Sequence, residues 1–163
     1  MEDMLVRARP FCLQVKLESY CNMAVRTIAE SDIPAATVLI GQLGYEMPLG
    51  EFARRLTAVR AQGDHRVWVY DDGGRVVGLL HAFFRPALDK PPEVMVQALV
   101  TEAEQRSKGI GEALMRVAEV WAREKGCTSV ALYSRVDRDR AHRFYERLGY
   151  EKKAASALLG KQW

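Results

Sequence analysis

Arg106-Ser107-Lys108-Gly109-Ile110-Gly111 is the stretch whose reading decides the fold. Ahead of it, Glu93–Thr101 is a nearly continuous apolar run. Val94, Val96, Ala98 and Val100 fall on one side of that run, and Met95, Gln97 and Leu99 on the other. The pattern predicts a buried strand. Behind it, Ile110, Leu114, Val117, Ala118 and Trp121 recur at helical spacing through Gly109–Lys125, and Gly126 stops the helix. A strand, a basic loop and a helix with two glycines at its start make an anion site. Orphan N–H groups point out of a helix start, and the macrodipole puts roughly half a positive charge there. Gly109 and Gly111 let an anion approach the backbone, while Arg106 and Lys108 add positive charge. The simplest such anion is a pyrophosphate. A plain strand-to-helix turn with solvated bases is the competing reading. The stretch has neither the Gly-x-x-x-x-Gly-Lys-Ser/Thr spacing of a P-loop nor the three glycines and acidic ribose partner of a dinucleotide fold.

Outward from this centre, the pattern alternates between strand and helix. Val25–Ile28 reads as a short strand. Ser31 or Asp32 caps a helix with Pro34 in its first turn, carrying Ile33, Ala36/Thr37, Ile40 and Leu43, and Gly44 ends it. A second helix is expected over Leu49–Ala61, with Phe52, Leu56 and Val59 on one face. His65–Tyr70 and Arg75–Phe84 are strands joined through Asp71-Asp72-Gly73-Gly74, a tight-turn signal. Gly78 inside the second of these marks a bulge or a close approach. Downstream, Ser129–Tyr133 is a strand and Asp139–Leu148 a helix. Tyr150–Lys152 and Ala157–Leu159 are expected as short terminal strands. The order β-α-α-β-β-β-α-β-α-β implies an α/β domain, a mixed sheet with helices on both faces.

Arg-x-x-Gly-x-Gly at Arg106–Gly111 resembles the acetyl-coenzyme A signature of the GNAT superfamily of N-acetyltransferases. Ala141-His142-Arg143-Phe144-Tyr145-Glu146-Arg147-Leu148-Gly149-Tyr150 is similar to that family's Ala-x-x-Phe-Tyr-x-x-x-Gly-Phe/Tyr segment. Val25–Gly44 is similar to its first strand and helix. The resemblance covers Val25 to about Gly160. It implies a mixed, mostly antiparallel central sheet flanked by helices on both faces, with acetyl-CoA as cosubstrate and no metal. Leu99, Val100 and Thr101 would offer backbone groups to the pantetheine arm. Arg106, Ser107, Lys108, Gly109, Ile110 and Gly111 would hold the pyrophosphate. Tyr145 would act as general acid toward the departing thiolate, because a phenol at pKa ~10 stays protonated at neutral pH.

The resemblance also implies a base for the attacking amine. One common carboxylate position falls on Met95, so Glu93, two residues earlier on the same strand face, is the expected base; a solvated strand-end carboxylate is its plainer reading. His81 and His142 are alternatives with the right intrinsic pKa, though a structural histidine is the plainer reading of either, and a water chain ending at backbone carbonyls would need no base. Some relatives carry an asparagine where this chain has Asp137, and an acid there would repel pyrophosphate. Asp137 and Asp139 are instead expected to pair with Arg135, Arg138 or Arg140, or to cap the helix. The acceptor would be the amine of a small molecule or peptide. Its pocket is expected among Gly41–Leu49, the His81–Pro92 region and Ala154–Gly160, with Tyr45 and Glu46 available to a cation and Pro86–Pro92 as a lid.

Composition narrows the class. The 163 residues suit one domain with its own core. Hydrophobic residues are 48% and charged residues 28%, which is ordinary for a globular chain. A net charge of +3 is too small to argue for a nucleic-acid partner. No apolar run approaches the ~20 residues of a membrane span. Cys12, Cys21 and Cys127 lack metal-site spacing and point, with no evident leader, to reduced thiols in the cytoplasm. Edge strands need covering, which leaves a homodimer open. Residues 1–22 stand apart from a domain over 23–163. Phe11, Leu13, Val15 and Leu17 alternate as in a strand, and an added edge strand, a disordered leader and an overcalled start are three open readings of the segment.

Overall fold

The computed structural model describes residues 24–155 and 159–163. The readings of residues 1–22, and nearly all of the strand expected at Ala157–Leu159, lie outside them. The described chain runs β1 (Val25–Thr27), α1 (Ile33–Gly41), α2 (Leu49–Arg60), β2 (His65–Asp72), β3 (Arg75–Arg85), β4 (Glu93–Thr101), α3 (Ile110–Glu124), β5 (Val130–Leu132) and α4 (Asp139–Arg147). Short 3-10 turns at Glu30–Asp32 and Ala103–Gln105 precede α1 and α3. The five strands form one sheet in chain order. Every pair is antiparallel except β4 with β5.

The sheet is buried on both faces. On one face, Val67, Val69, Leu79 and Val100 meet Ile33, Ala36 and Leu39 of α1 and Phe52 and Leu56 of α2. On the other, Trp68, Leu80, Val94 and Val96 meet Ile110, Leu114, Met115, Ala118 and Trp121 of α3. Trp68 and Trp121 cross edge to face with centroids 5.6 Å apart, a preferred aromatic geometry. Phe144, Tyr145 and Leu148 of α4 pack against this second core.

The hairpin turns on Gly73 (φ 62°) and Gly74 (φ 92°), both left-handed as a two-residue turn of this hand requires. Asp71 braces it by accepting the Gly74 N–H at 2.6 Å. Asp71 also accepts from Arg26, whose guanidinium forks onto buried Asp32 at 2.6 and 2.9 Å. Asp32 also closes the 3-10 turn ahead of α1 by accepting the Ala29 N–H at 2.7 Å. Arg26 therefore ties β1, the hairpin and the helix start together.

Two irregularities shape the sheet. Tyr70 pairs with Gly78 and Asp71 with Val76, so Val77 is bulged out of β3. His81 pairs with Ala98 and Ala82 with Val96, so Gln97 is bulged out of β4. A bulge shifts the two-residue alternation by one. Beyond Gln97 the faces of β4 therefore swap. Val100 packs under α1 and α2, whereas Val94 and Val96 lie under α3. This corrects the expectation that Val94, Val96, Ala98 and Val100 share one side.

Tyr150–Lys152 forms no strand among the described residues. The chain folds back on α4 through Gly149 instead. The Tyr150 N–H donates to the Tyr145 carbonyl at 3.0 Å, and the Tyr150 hydroxyl reaches Glu119 at 3.1 Å.

Candidate active site

The site grows from the end of β4. Pairing with β5 covers Val94, Met95 and Val96 and stops there. The bulged Gln97 is the next residue, and from it to Thr101 the β4 edge facing β5 is unpaired among the described residues. Leu99 and Thr101 are half-buried along this stretch, and the Val100 side chain is 4% exposed. Their open backbone edge lies where the resemblance puts the pantetheine arm.

The chain then turns through Ala103–Gln105 into α3. Gly109 is its N-cap with φ 81°, a left-handed conformation that glycine adopts without strain. Ser107 is left-handed too, at φ 66°. The first amide bonded along the helix is that of Ala113, onto the Gly109 carbonyl at 2.9 Å. The amides of Ile110, Gly111 and Glu112 thus have no intrahelical acceptor and point out of the helix end. Arg106, Ser107, Lys108 and Gly109 are exposed around them. Lys108 rests on Gln105 Oε1 at 2.7 Å. A Cβ at Gly109 would meet nothing within 4 Å, so Gly109 itself is uncrowded and its left-handed φ is what calls for glycine. Gly111 differs. A Cβ there would lie 3.1 Å from Phe144 Cζ, so that position is closed by α4 and serves helix packing.

Tyr145 follows Phe144 on α4. Its ring packs edge to face with Phe144 (5.1 Å) and Tyr150 (6.1 Å). Burial pushes the phenol up from its ordinary value, with nearby Arg138 pulling weakly the other way. A phenol held protonated is a donor, as general acid work requires. Its hydroxyl has no hydrogen-bond partner among the described residues.

The structure does not bring Glu93 to this place. Glu93 opens β4, eight residues before Thr101, roughly 26 Å away along a strand. It is 7% exposed and paired with Arg85 and with Lys90 Nζ at 2.6 Å. Burial alone would raise its carboxyl, but Lys90 and Arg85 outweigh that and hold it below its ordinary value. A distant carboxylate already held by two cations is a structural ion pair. Asp137 pairs with Arg135 at 2.7 Å, and this contact lowers its carboxyl. Cys127 is buried, and burial with nearby Glu93 raises its thiol, in keeping with a structural residue. His142 is half-buried on α4. His81 lies on β3 opposite Ala98, one residue past the Gln97 bulge. Its Nε2 is 2.9 Å from His65 Nδ1.

An open pocket of about 520 Å³ flanks the same end of the sheet, lined by Thr37, Val38, Gly41, Gln42, Glu46 and Met47. Gln42 Oε1 accepts the Ala103 N–H at 3.2 Å and ties the end of α1 to the loop before α3. The part of the expected acceptor pocket over Gly41–Met47 falls here. Gln42, His65 and the Gln97 bulge were not singled out by the sequence. Only His65 carried a signal, as a titratable side chain in a hairpin strand.

The β4 edge left open by β5 thus lies beside a helix start whose first amides are unbonded, in an α/β domain. The sequence profile of the Acetyltransferase (GNAT) family matches residues 36–150, and the chain belongs to that family. It is 30% identical over 113 residues to an uncharacterised N-acetyltransferase of Bacillus subtilis (strain 168), covering 69% of this chain and 80% of that protein. It is 29% identical over 135 residues to glucosamine 6-phosphate N-acetyltransferase of Trypanosoma brucei brucei, covering 79% and 89%. The chain spans half the length of the mouse N-acetyltransferase 8 that it also matches. AAC(6′)-Iy, solved with the bisubstrate analogue CoA-S-monomethyl-acetylneamine, superposes over 85% of this chain and 97% of that one. The TM-score is 0.76 at 17% identity, which is a likeness of fold. The chain is a GNAT-family N-acetyltransferase.

Proposed function

We propose that this enzyme transfers acetyl from acetyl-CoA to a primary amine by direct attack in a ternary complex, with residues 23–163 as the catalytic domain. The observation that carries the reading is the start of α3. Three unbonded amides, an open Gly109 and two exposed bases stand beside the unpaired end of β4. In this reading the amides and Arg106, Ser107 and Lys108 hold pyrophosphate. Backbone groups of Leu99, Val100 and Thr101 align the pantetheine and polarise the thioester carbonyl. The amine attacks that carbonyl carbon and gives up its N–H proton to water or a neighbouring base, the C–S bond breaks, and Tyr145 gives its proton to the thiolate. Glu93 takes no part. The acceptor is the amine of a small molecule or peptide, drawn from the side of the Gln42–Glu46 pocket. Glu46, the one charged side chain lining that pocket, suits a cationic acceptor better than a phosphorylated one.

The test is thiol release from acetyl-CoA in the presence of a broad amine panel, with thermal shifts in acetyl-CoA and in ATP. Release with at least one amine, and stabilisation by acetyl-CoA, are expected. Tight CoA binding with no release from any amine would make the chain a CoA-binding module. Stabilisation by ATP alone would remove the cosubstrate.

A further inference from the structure

Two histidines face each other on the α1/α2 side of the sheet. His81 pairs in register with Val67 of β2, and Val67 belongs to the core under α1 and α2. His65, two residues earlier on β2, shares that face. The rings lie 5.2 Å apart, with His65 Nδ1 2.9 Å from His81 Nε2. Phe83 stacks on His65 at 5.1 Å and 17° and fixes the ring. Both histidines are half-buried. His81 is the cross-strand partner of Ala98, which follows the bulge where β4 leaves β5. The His81 backbone thus runs one strand spacing, about 4.8 Å, from Ala98, which adjoins the Leu99–Thr101 backbone expected to hold the thioester.

We propose that His81 and His65 form a relay that carries the proton off the attacking amine. The inference rests on the acetyltransferase reading above. The amine lone pair forms the C–N bond to the thioester carbonyl carbon. His81 Nδ1 takes the N–H proton, directly or through one water. The His81 Nε2–H passes to His65 Nδ1, and the His65 Nε2–H goes to solvent. The C–S bond breaks, and the thiolate takes its proton from Tyr145, so each proton has a donor and a destination. Nδ1 of His81 carries no hydrogen bond among the described residues, which leaves it open to accept.

Burial, with His65 adding to it, lowers His81 to about 4. At neutral pH the ring is therefore uncharged, as a relay that accepts on one nitrogen while donating from the other requires. The titratable group facing it is His65 on β2. Its partner on β4 is Ala98, preceded by Gln97, and no carboxylate contributes to its shift among the described residues.

The relay sets the tautomers, and these are measurable without turnover. Long-range nitrogen–proton NMR at neutral pH should show His81 protonated on Nε2 and bare on Nδ1. The His81 ring resonances should shift when acetyl-CoA is added. A His81 protonated on Nδ1, or one blind to acetyl-CoA, overturns the relay whatever the enzyme turns over. With the first amine accepted, H81Q should lower kcat/KM for that amine about a hundredfold. H65Q should lower it less and shrink the solvent isotope effect. Acetyl-CoA affinity should hold in both variants. Added imidazole should restore part of the rate in H81A. Unchanged kcat/KM in H81Q and H65Q overturns the proposal. Absence of turnover in the unaltered enzyme instead overturns the function reading, and the NMR result still decides where His81 stands.

Discussion

Replacing Gly78 with alanine tests the contact that seats α3 on the sheet. Gly78 pairs with Thr101, the last residue of β4. A Cβ at 78 would lie 2.8 Å from Ile110 Cγ2, 3.0 Å from Leu114 Cδ1 and 3.3 Å from Tyr70 Cβ. Ordinary carbon contacts begin near 3.5 Å, so Ile110 must retreat by roughly 0.7 Å or more. Its β-branched χ1 is stiff, and Ile110 and Leu114 are 4% and 0% exposed. Overpacking of this kind costs about 1–3 kcal/mol. The φ of Gly78 is not left-handed, so alanine recovers about 0.4–1 kcal/mol through the unfolded chain. The net loss is about 1–2 kcal/mol, or a Tm drop of roughly 2–8 °C for this length. Ile110 directly follows the Gly109 cap, so its retreat also misplaces the helix amides and weakens acetyl-CoA binding. Melting curves and acetyl-CoA titration of G78A, I110A and the double variant read both effects. Removing Cγ2 in the double variant relieves the worst contact, so its penalty should fall about 1 kcal/mol short of the sum. A G78A protein as stable as its parent, with unchanged acetyl-CoA affinity, would refute the close approach.

Three further outcomes follow from the site and its frame. Replacing Arg106 and Lys108 together with alanine should weaken acetyl-CoA about tenfold at low salt and less at high salt, since both charges are exposed and screened; calorimetry at two salt concentrations reads the difference. Tyr145→Phe should lower kcat about a hundredfold with acetyl-CoA affinity unmoved, and equal kcat would remove the phenol from the chemistry. Asp32→Asn should cost about 2 kcal/mol, less than a fully buried pair because Arg26 is 38% exposed. Arg26 lowers both Asp32 and Asp71 from their ordinary 3.8. Their contribution is complete above 3.8 and disappears as pH falls through the lowered folded values. Urea melts taken into the acid range should show that loss in the parent and a smaller one in D32N.

Much of this was legible in the residues because it depends on local chemistry. The β4 boundaries at Glu93 and Thr101 matched the apolar run, and Gly73-Gly74 made the turn their conformations allow. The α3 pattern held because Ile110, Leu114, Ala118 and Trp121 are all buried against one sheet face. What escaped was anything set by register. Val94–Val100 reads as an unbroken alternation, and nothing in it announces that Gln97 is unpaired. Glu93 looked close to the reacting centre because it shares a strand with Thr101. The same strand, fully extended, carries it to the opposite end. Gly111 looked like an opening for an anion until Phe144, more than 30 residues later, proved to occupy the space.

The two bulges also explain why the histidine pair belongs to the tertiary structure and not to the sequence. The Gly73-Gly74 turn alone would set His65 opposite Ala82, whose face lies under α3. The bulge at Val77 moves it opposite Phe83, and Val67 opposite His81. Only then do His65 and His81 share the α1/α2 face. The second bulge, at Gln97, brings Ala98 into register with His81 at the point where β4 parts from β5. One irregularity assembles the imidazoles and the other opens the edge beside them. Gly78, between the bulged Val77 and His81, meanwhile draws the start of α3 onto the same strand. Shifting either register by one residue would leave every local motif in place, including Arg106–Gly111, and would part His65 from His81 or His81 from Ala98.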